Sequence, residues 1–220
     1  SVWSAIFSLL FWDIIYDSSV PNVFQSKYQA TPLDLGTEAF WISREETIKK
    51  RLATIADNEN SFISNQLQIS WSENHGLQSC ISNWDNYDIL ELVEICECFS
   101  GKVISAVCKM LAEDYRHNRS GMPDLILWCP NEKKALFSEV KGPRDRLSDK
   151  QRAWIDVLIA SGAEVEICHI VEDHVVTKTK KKQIEFDDDD LWLVHNKSPV
   201  KAEEHLEENK ENVVTIIEID

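Results

Sequence analysis

The feature that most constrains the fold is a change in hydrophobic pattern at Gly121. Before this residue, apolar side chains recur at helical spacing. After it, short apolar runs occupy 125–129 and 135–141, and the turn-forming sequence Pro-Asn-Glu-Lys separates them at 130–133. A helical segment follows, and then a third, alternating run at 163–170. The order strand, strand, helix, strand predicts an α/β core behind a helical front half.

Composition divides the chain into a predicted domain at 1–171 and a tail at 172–220. Within the domain, 1–115 is predicted to be mainly helical and 116–171 to form the α/β core. The stretch from Ser1 to Ile15 is apolar on all sides, which is typical of a buried helix, and it is too short to span a bilayer. Since the chain does not begin with Met, we expect it to be a fragment of a longer protein.

The distribution of charge decides whether nucleic acid is a plausible partner. The formal net charge is −15, and taken as an average this argues against phosphate binding, which needs Lys and Arg. The tail, however, holds 14 Asp and Glu against 7 Lys, whereas 111–154 is slightly basic. Few apolar residues and many acids predict that the tail is disordered. The core segment therefore remains compatible with DNA.

The first two predicted strands place two carboxylates opposite each other. Reflection through the centre of their turn, between Asn131 and Glu132, puts Asp124 across from Glu139. Cross-strand partners have Cβ atoms about 4.5–5.5 Å apart, and like charges at that distance repel. A divalent cation would offset the repulsion, and Mg²⁺ prefers oxygen ligands. The pattern predicts a metal site on this hairpin.

Lys141 follows Glu139 by two residues and so projects from the same strand face. An ammonium group there can hold an attacking water and stabilise charge that develops on a phosphate, while the metal polarises the phosphoryl oxygen. The carbonyl of Val140 is a further candidate metal ligand. The alternative interpretation is an exposed Glu–Lys pair, with Asp124 a turn residue after Pro123.

At these motifs the sequence resembles a known family. Gly121-Met122-Pro123-Asp124 and Glu139-Val140-Lys141-Gly142-Pro143 are similar to the motifs of the PD-(D/E)xK nucleases. More narrowly, the chain resembles the VRR-Nuc domain of Fanconi-anaemia-associated nucleases. The similarity rests on the segments SVWSAIFSLLFWDII, ATPLDL, DYRHNRSGMPDL, EVKGPRDRLSDKQ and GAEVEICHI. It extends from about Ser1 to Val171 and is weak between Trp41 and Cys98.

The resemblance implies a restriction-endonuclease-like fold, a mixed sheet flanked by helices, and a structure-specific nuclease that uses Mg²⁺ or Mn²⁺. Its expected substrates are 5′ flaps and interstrand crosslinks in DNA, its expected protein partners are ubiquitinated proteins of the Fanconi pathway, and its expected location is the nucleus. By resemblance Asp124, Glu139 and the Val140 carbonyl bind metal, and Lys141 is the catalytic lysine. Family members also carry a metal-site Glu upstream of the segment that begins here at Ser1.

Residues around the motifs have two interpretations each. Five basic residues are candidates for binding DNA phosphates, or else belong to a solvated surface: Arg116, Arg119, Arg144, Arg146 and Lys150. Gln151 is a candidate catalytic residue, as a glutamine is in related nucleases. It is equally well explained as the partner of Ser148 in a capping box, which starts a helix that ends before Gly162. Ser43 with Glu46 predicts another such helix start, and Trp154 is predicted to be core.

Other features are given no catalytic role. The six cysteines form no Cys-x-x-Cys pair, so they are interpreted as free thiols, and His169 and His174 as structural. The lysine run, Lys178 and Lys180–Lys182, is either a nuclear localisation signal or a solvated linker. Val213–Asp220 is a candidate strand for a partner's sheet. Three rival functions remain: a catalytically silent DNA-junction module, a protein-interaction domain, and a Holliday-junction-resolving nuclease.

Overall fold

The structure is a computed structural model that describes residues 1–82, 84–170 and the backbone of 215–218. Its elements are α1 (Val2–Leu10), α2 (Trp12–Ile15), α3 (Glu38–Asp57), α4 (Asn60–Asn74), α5 (Ile89–Cys98), α6 (Gly101–Glu113), α7 (Tyr115–Asn118), β1 (Leu125–Cys129), β2 (Lys134–Lys141), α8 (Asp149–Ala160), β3 (Glu164–His169) and β4 (Thr215–Glu218). Within this described part, no helix has the length and apolar composition that a membrane crossing requires.

The strands form one mixed sheet in the order β3-β2-β1-β4. β1 and β2 are an antiparallel hairpin, and β3 lies parallel to β2. The parallel pair needs a crossover, which α8 supplies between β2 and β3. A mixed sheet behind a helical front half is the predicted α/β fold class, which is thereby confirmed.

The apolar helix α1 fixes the position of the sheet. All nine of its residues are buried, as the apolar pattern predicted. The ring centroids of Trp3 and Phe99 lie 5.5 Å apart, and those of Phe99 and Phe137 lie 4.9 Å apart. Phe137 belongs to β2, so this aromatic cluster ties α1 and the end of α5 to one face of the central strand. The same face carries the motif residues that follow Phe137.

Helix α3 begins earlier than the sequence predicted. It starts at Glu38 with Thr37 as its N-cap, and the Ser43 hydroxyl donates to the carbonyl oxygen of Phe40 within the helix. The capping-box prediction at Ser43 is therefore wrong. Buried residues recur every three or four positions from Phe40 through Ile48 to Ile55. Because Phe40 is buried in the core as part of this stripe, its burial stabilises the helical turn that precedes Ser43.

The structure describes only residues 215–218 of the predicted disordered tail. Residues 171–214 and 219–220 lie outside the described residues, and with them lie His174, the lysine run and most of the predicted disordered segment. At Thr215–Glu218 the structure differs from the prediction, because these residues pair with β1 as an antiparallel strand. These four residues thus add a strand to the edge of this chain's own sheet, whereas the hypothesis was that they add a strand to the sheet of a partner.

The cysteines are free thiols, as predicted. Cys96, Cys98 and Cys108 are buried, whereas Cys80 and Cys168 are exposed. Burial raises the pKa of the Cys98 thiol to about 11. Such a thiol stays protonated at neutral pH and behaves as a small apolar side chain.

Candidate active site

The hairpin register is the one that the turn symmetry predicted. Leu125 pairs with Ser138, and the ladder continues to Cys129 with Lys134. One further step along both strands places Asp124 across from Glu139. The Oδ2 atom of Asp124 accepts a hydrogen bond of 2.9 Å from the Val140 backbone N–H. This bond fastens the Asp124 carboxylate to the partner strand beside Glu139.

Glu139 and Lys141 share the core-facing side of β2 with Phe137, since side chains alternate along a strand. Their exposed fractions are 0% and 4%, which is unusual for charged residues. The Lys141 Nζ atom lies 2.7 Å from Glu139 Oε1, so each charge is compensated by the other. The pair lies where the apolar part of this sheet face ends. The alternative of an exposed Glu–Lys pair is therefore wrong.

Gln151 fills both of the roles that the sequence left open. Its Oε1 atom accepts from the Ser148 backbone N–H at 3.0 Å, which completes the capping box of α8. The same oxygen accepts from Lys141 Nζ at 3.1 Å, and its Nε2 donates to Glu139 Oε1. The first turn of α8 thus holds the acid and the lysine of β2 in one orientation.

The electrostatics of this pair follow from its burial. Burial raises the pKa of the Glu139 carboxyl, the hydrogen bond from Lys141 opposes the rise, and the charge of Asp124 adds to it. Burial lowers the pKa of Lys141, but the hydrogen bond and charge of Glu139 outweigh burial and the net pKa is raised. Lys141 is therefore an ammonium ion at neutral pH, and its charge offsets that of the Glu139 carboxylate 2.7 Å away.

The oxygen donors here fit a hard divalent cation. Glu139 Oε2 is buried and has no hydrogen-bond partner among the residues that the structure describes, and leaving a buried acceptor unpaired costs about 1–3 kcal/mol. Asp124 supplies a second carboxylate on the neighbouring strand. Among the described residues, no group of three or more His, Cys, Asp and Glu side chains is arranged to bind a metal ion. Mg²⁺ often binds proteins through only one or two carboxylates and keeps several waters, so two acids are compatible with it.

The structure brings Lys150, one of the predicted DNA-binding residues, against the segment around α7 that carries Arg116 and Arg119. The Lys150 Nζ atom lies 3.4 Å from the His117 carbonyl oxygen and 3.5 Å from the Ser120 hydroxyl. Gly121 makes this contact possible, because its φ is +94° and a Cβ there would lie 2.9 Å from that of Lys150. The end of α7 therefore lies against the start of α8, one residue from Gln151.

The other four basic candidates are exposed. Arg116 and Arg119 lie at α7, while Arg144 and Arg146 lie in the segment that connects β2 to α8. All four side chains are available to solvent, as phosphate contacts require. Their role in binding DNA stays a prediction. Trp154 is buried in the core, as predicted.

Two further residues lie next to Lys141 in the structure, and the sequence analysis placed neither of them at the site. The Asp145 carboxylate lies 3.6 Å from Lys141 Nζ, but it belongs to the segment between β2 and α8, where a spacing of four residues does not predict a contact. His169 pairs with Lys141 in the parallel ladder between β2 and β3. No sequence signal reveals that pairing, because the register across a helical crossover depends on how the helix packs.

Comparison with known proteins agrees with this geometry. Residues 58–172 match the VRR-NUC domain family. The chain is 41% identical over 172 residues to Fanconi-associated nuclease 1 of Ailuropoda melanoleuca, and 40% identical over 172 residues to that of Homo sapiens; each alignment covers 78% of this chain and 17% of the relative. The homologue from Schizosaccharomyces pombe is 43% identical over 171 residues, which cover 77% of this chain and 24% of that protein.

Solved structures give the same result. The chain is similar to paFAN1 bound to DNA with a two-nucleotide 5′ flap and a gap, with a TM-score of 0.66 and 28% sequence identity. The match covers 78% of this chain and 31% of that one. The chain thus spans from about a sixth to a third of the proteins that it matches. The family match extends over more than half of the chain and includes Asp124, Glu139, Lys141 and Gln151, so the chain belongs to the VRR-NUC domain family.

Proposed function

We propose that this chain carries the catalytic centre of a metal-dependent, structure-specific DNA nuclease. The observation that carries the proposal is the buried, unpartnered Glu139 Oε2 atom beside a second carboxylate and an ammonium ion. Most buried polar atoms in folded proteins have a hydrogen-bond partner, so an unpaired buried carboxylate oxygen beside two further charged groups supports a site for a bound cation. The same cluster is suited to holding a cation against a phosphodiester.

Each residue has a distinct task in the proposed mechanism. Asp124, Glu139 and the Val140 carbonyl would hold Mg²⁺ or Mn²⁺, which when bound polarises the phosphoryl oxygen and acidifies water. Lys141 orients the attacking water through its ammonium N–H groups and stabilises negative charge on the phosphate as that charge develops. Gln151 fixes the Glu139 and Lys141 side chains, so that neither must reorganise during the reaction.

The proposed substrate is branched DNA with a 5′ flap, cut by endonuclease or 5′–3′ exonuclease action. The 5′-flap DNA in the paFAN1 structures supports this choice. Arg116, Arg119, Arg144, Arg146 and Lys150 would bind its backbone phosphates. The proposed process is repair of interstrand crosslinks in the nucleus, and the proposed protein partners are ubiquitinated proteins of the Fanconi pathway. Both parts of the proposal draw on the similarity to Fanconi-associated nucleases.

The test is cleavage of labelled 5′-flap DNA with Mg²⁺, Mn²⁺ or EDTA. It uses the 220-residue chain and, in parallel, a longer form with residues upstream of Ser1. We expect metal-dependent cleavage that Lys141→Ala removes. DNA binding without cleavage in both forms would favour the catalytically silent junction module. Faster cutting of four-way junctions than of flaps would favour a junction-resolving nuclease.

A further inference from the structure

Strand β3 ends beside the proposed catalytic lysine. In its parallel pairing with β2, Glu139 lies opposite Ile167 and Lys141 lies opposite His169. The next residue, Ile170, donates its backbone N–H to the Lys141 carbonyl oxygen at 2.8 Å. Hydrogen bonding therefore continues through Lys141, and it holds His169 in register beside that residue.

The pairing also fixes the side of the sheet on which His169 lies. Paired residues of adjacent strands project from the same face, so His169 shares the face of Lys141 and Glu139. Val165 supports this assignment, because it pairs with Phe137 of the hydrophobic core and itself packs against that core. Adjacent strands are about 4.8 Å apart, so the backbone of His169, from which the imidazole projects, lies about that distance from the backbone of Lys141.

His169 differs from Glu139 and Lys141 in its exposure to solvent. Glu139 and Lys141 are almost fully buried, whereas His169 is exposed. DNA that approaches the buried pair from solvent must therefore pass the residues at the rim of the site. On the α8 side that rim includes Gln151, and on the loop side it includes Asp145, and both of these residues contact Lys141. His169 is the rim residue that β3 supplies.

Distance argues against a metal-binding role for His169. It lies two residues further along the sheet than Glu139 and one strand away, which amounts to about 8 Å between backbone positions. Metal–ligand bonds are about 2 Å, and Mg²⁺ prefers oxygen to imidazole nitrogen. A group at this position is placed instead to contact the DNA backbone beside the phosphate that reacts.

We propose that His169 is a substrate contact, in which an imidazole N–H donates a hydrogen bond to a nonbridging oxygen of a DNA backbone phosphate next to the scissile one. Imidazole carries a donor N–H in its neutral and its charged form, so the contact needs no change of protonation. The inference rests on the proposed nuclease function for the catalytic consequence, although the DNA contact itself is measurable without cleavage.

The experiment compares His169→Phe, which has no donor, with His169→Gln, which keeps an N–H donor. Cys168→Ser is the matched control, because Cys168 is the exposed neighbour on the opposite face of β3. Affinity for 5′-flap DNA is measured by fluorescence anisotropy in EDTA, and kcat and KM are measured with Mg²⁺. Phe is favourable in strands; if the His169→Phe protein fails to fold, His169→Val replaces it.

A lost hydrogen bond to a charged phosphate should weaken DNA binding and kcat/KM by roughly tenfold or more in His169→Phe. The His169→Gln and Cys168→Ser variants should stay within about threefold of the parent. Parent-like binding by His169→Phe would overturn the proposal, and so would an equal loss in His169→Gln at an unchanged Tm. Absence of metal-dependent cleavage in the parent would instead refute the nuclease function, and the anisotropy data would still decide the DNA contact.

Discussion

The double role of Gln151 leads to the sharpest prediction. Its side chain completes the α8 capping box and also binds Glu139 and Lys141, and single substitutions separate these tasks. Ser148→Ala removes only the hydroxyl that accepts from the Gln151 backbone N–H. It leaves the backbone N–H of residue 148, which holds the Gln151 side chain, and leaves both contacts to β2. Gln151→Ala removes all of these side-chain bonds.

The magnitudes of the two effects differ. Loss of an N-cap hydroxyl costs about 1 kcal/mol of unfolding free energy, or about 2–4 °C in Tm for a domain of this size. Gln151→Ala leaves two buried charged groups each short of one hydrogen bond, at about 1.5–3 kcal/mol per bond, so we expect a loss of roughly 3 kcal/mol or more. Misplacement of catalytic groups by about 1 Å lowers turnover on the order of 100-fold.

The assay pairs a thermal melt with single-turnover cleavage of 5′-flap DNA. We expect Ser148→Ala to melt slightly earlier and to cut at the parent's rate. Gln151→Ala should melt earlier still and cut one to two orders of magnitude more slowly, measured well below its Tm. Equal turnover losses in both variants would show that Gln151 acts only through helix stability. Parent-like turnover in Gln151→Ala would remove it from the site.

Three further predictions test the rest of the site. Lys141→Ala should lower turnover on the order of 10²–10³-fold with little change in DNA affinity, since its contact forms mainly in the transition state; cleavage at the parent's rate would exclude Lys141 as catalytic. Asp124→Ala should also stop cleavage, but excess Mn²⁺ should partly restore it and should not restore Lys141→Ala; identical responses to Mn²⁺ would argue against separate roles. Asn in place of Asp187–Asp190 should raise DNA affinity at low salt, with the gain shrinking as salt rises; an unchanged affinity at low salt would rule out competition by the acidic tail.

The sequence was sufficient for the hairpin because everything that sets it is local. The turn at 130–133 fixes the strand register, and the register fixes which carboxylates face each other. The alternation of side chains then places Lys141 with Glu139. The residue preferences of a turn and the alternation of side chains along a strand both act over a few residues, so they can be predicted without knowledge of the rest of the chain.

What the sequence did not give depends on long-range packing. The pairing of His169 with Lys141 is set by how α8 carries the chain back to β2, and the pairing of Thr215–Glu218 with β1 spans some ninety residues. The early start of α3 reflects the burial of Phe40 by tertiary contacts that its local sequence does not reveal. Gln151 could not be assigned to one task because its amide has both donor and acceptor atoms, and the fold uses both.

The tight turn of the hairpin has a practical use. Five strand residues separate Asp124 from the turn, a distance of about 17 Å, and turn residues 131–133 are exposed. The side chain of Glu132 forms an exposed ion pair with Lys134, which contributes about 0–1 kcal/mol. Because Cys80 and Cys168 are exposed, a fluorophore would be attached at Glu132 by a chemistry other than thiol labelling. It would move with the hairpin, and so with Asp124 of the proposed metal site, without contacting that residue. Energy transfer from that position to labelled DNA would report the orientation in which a branched substrate docks.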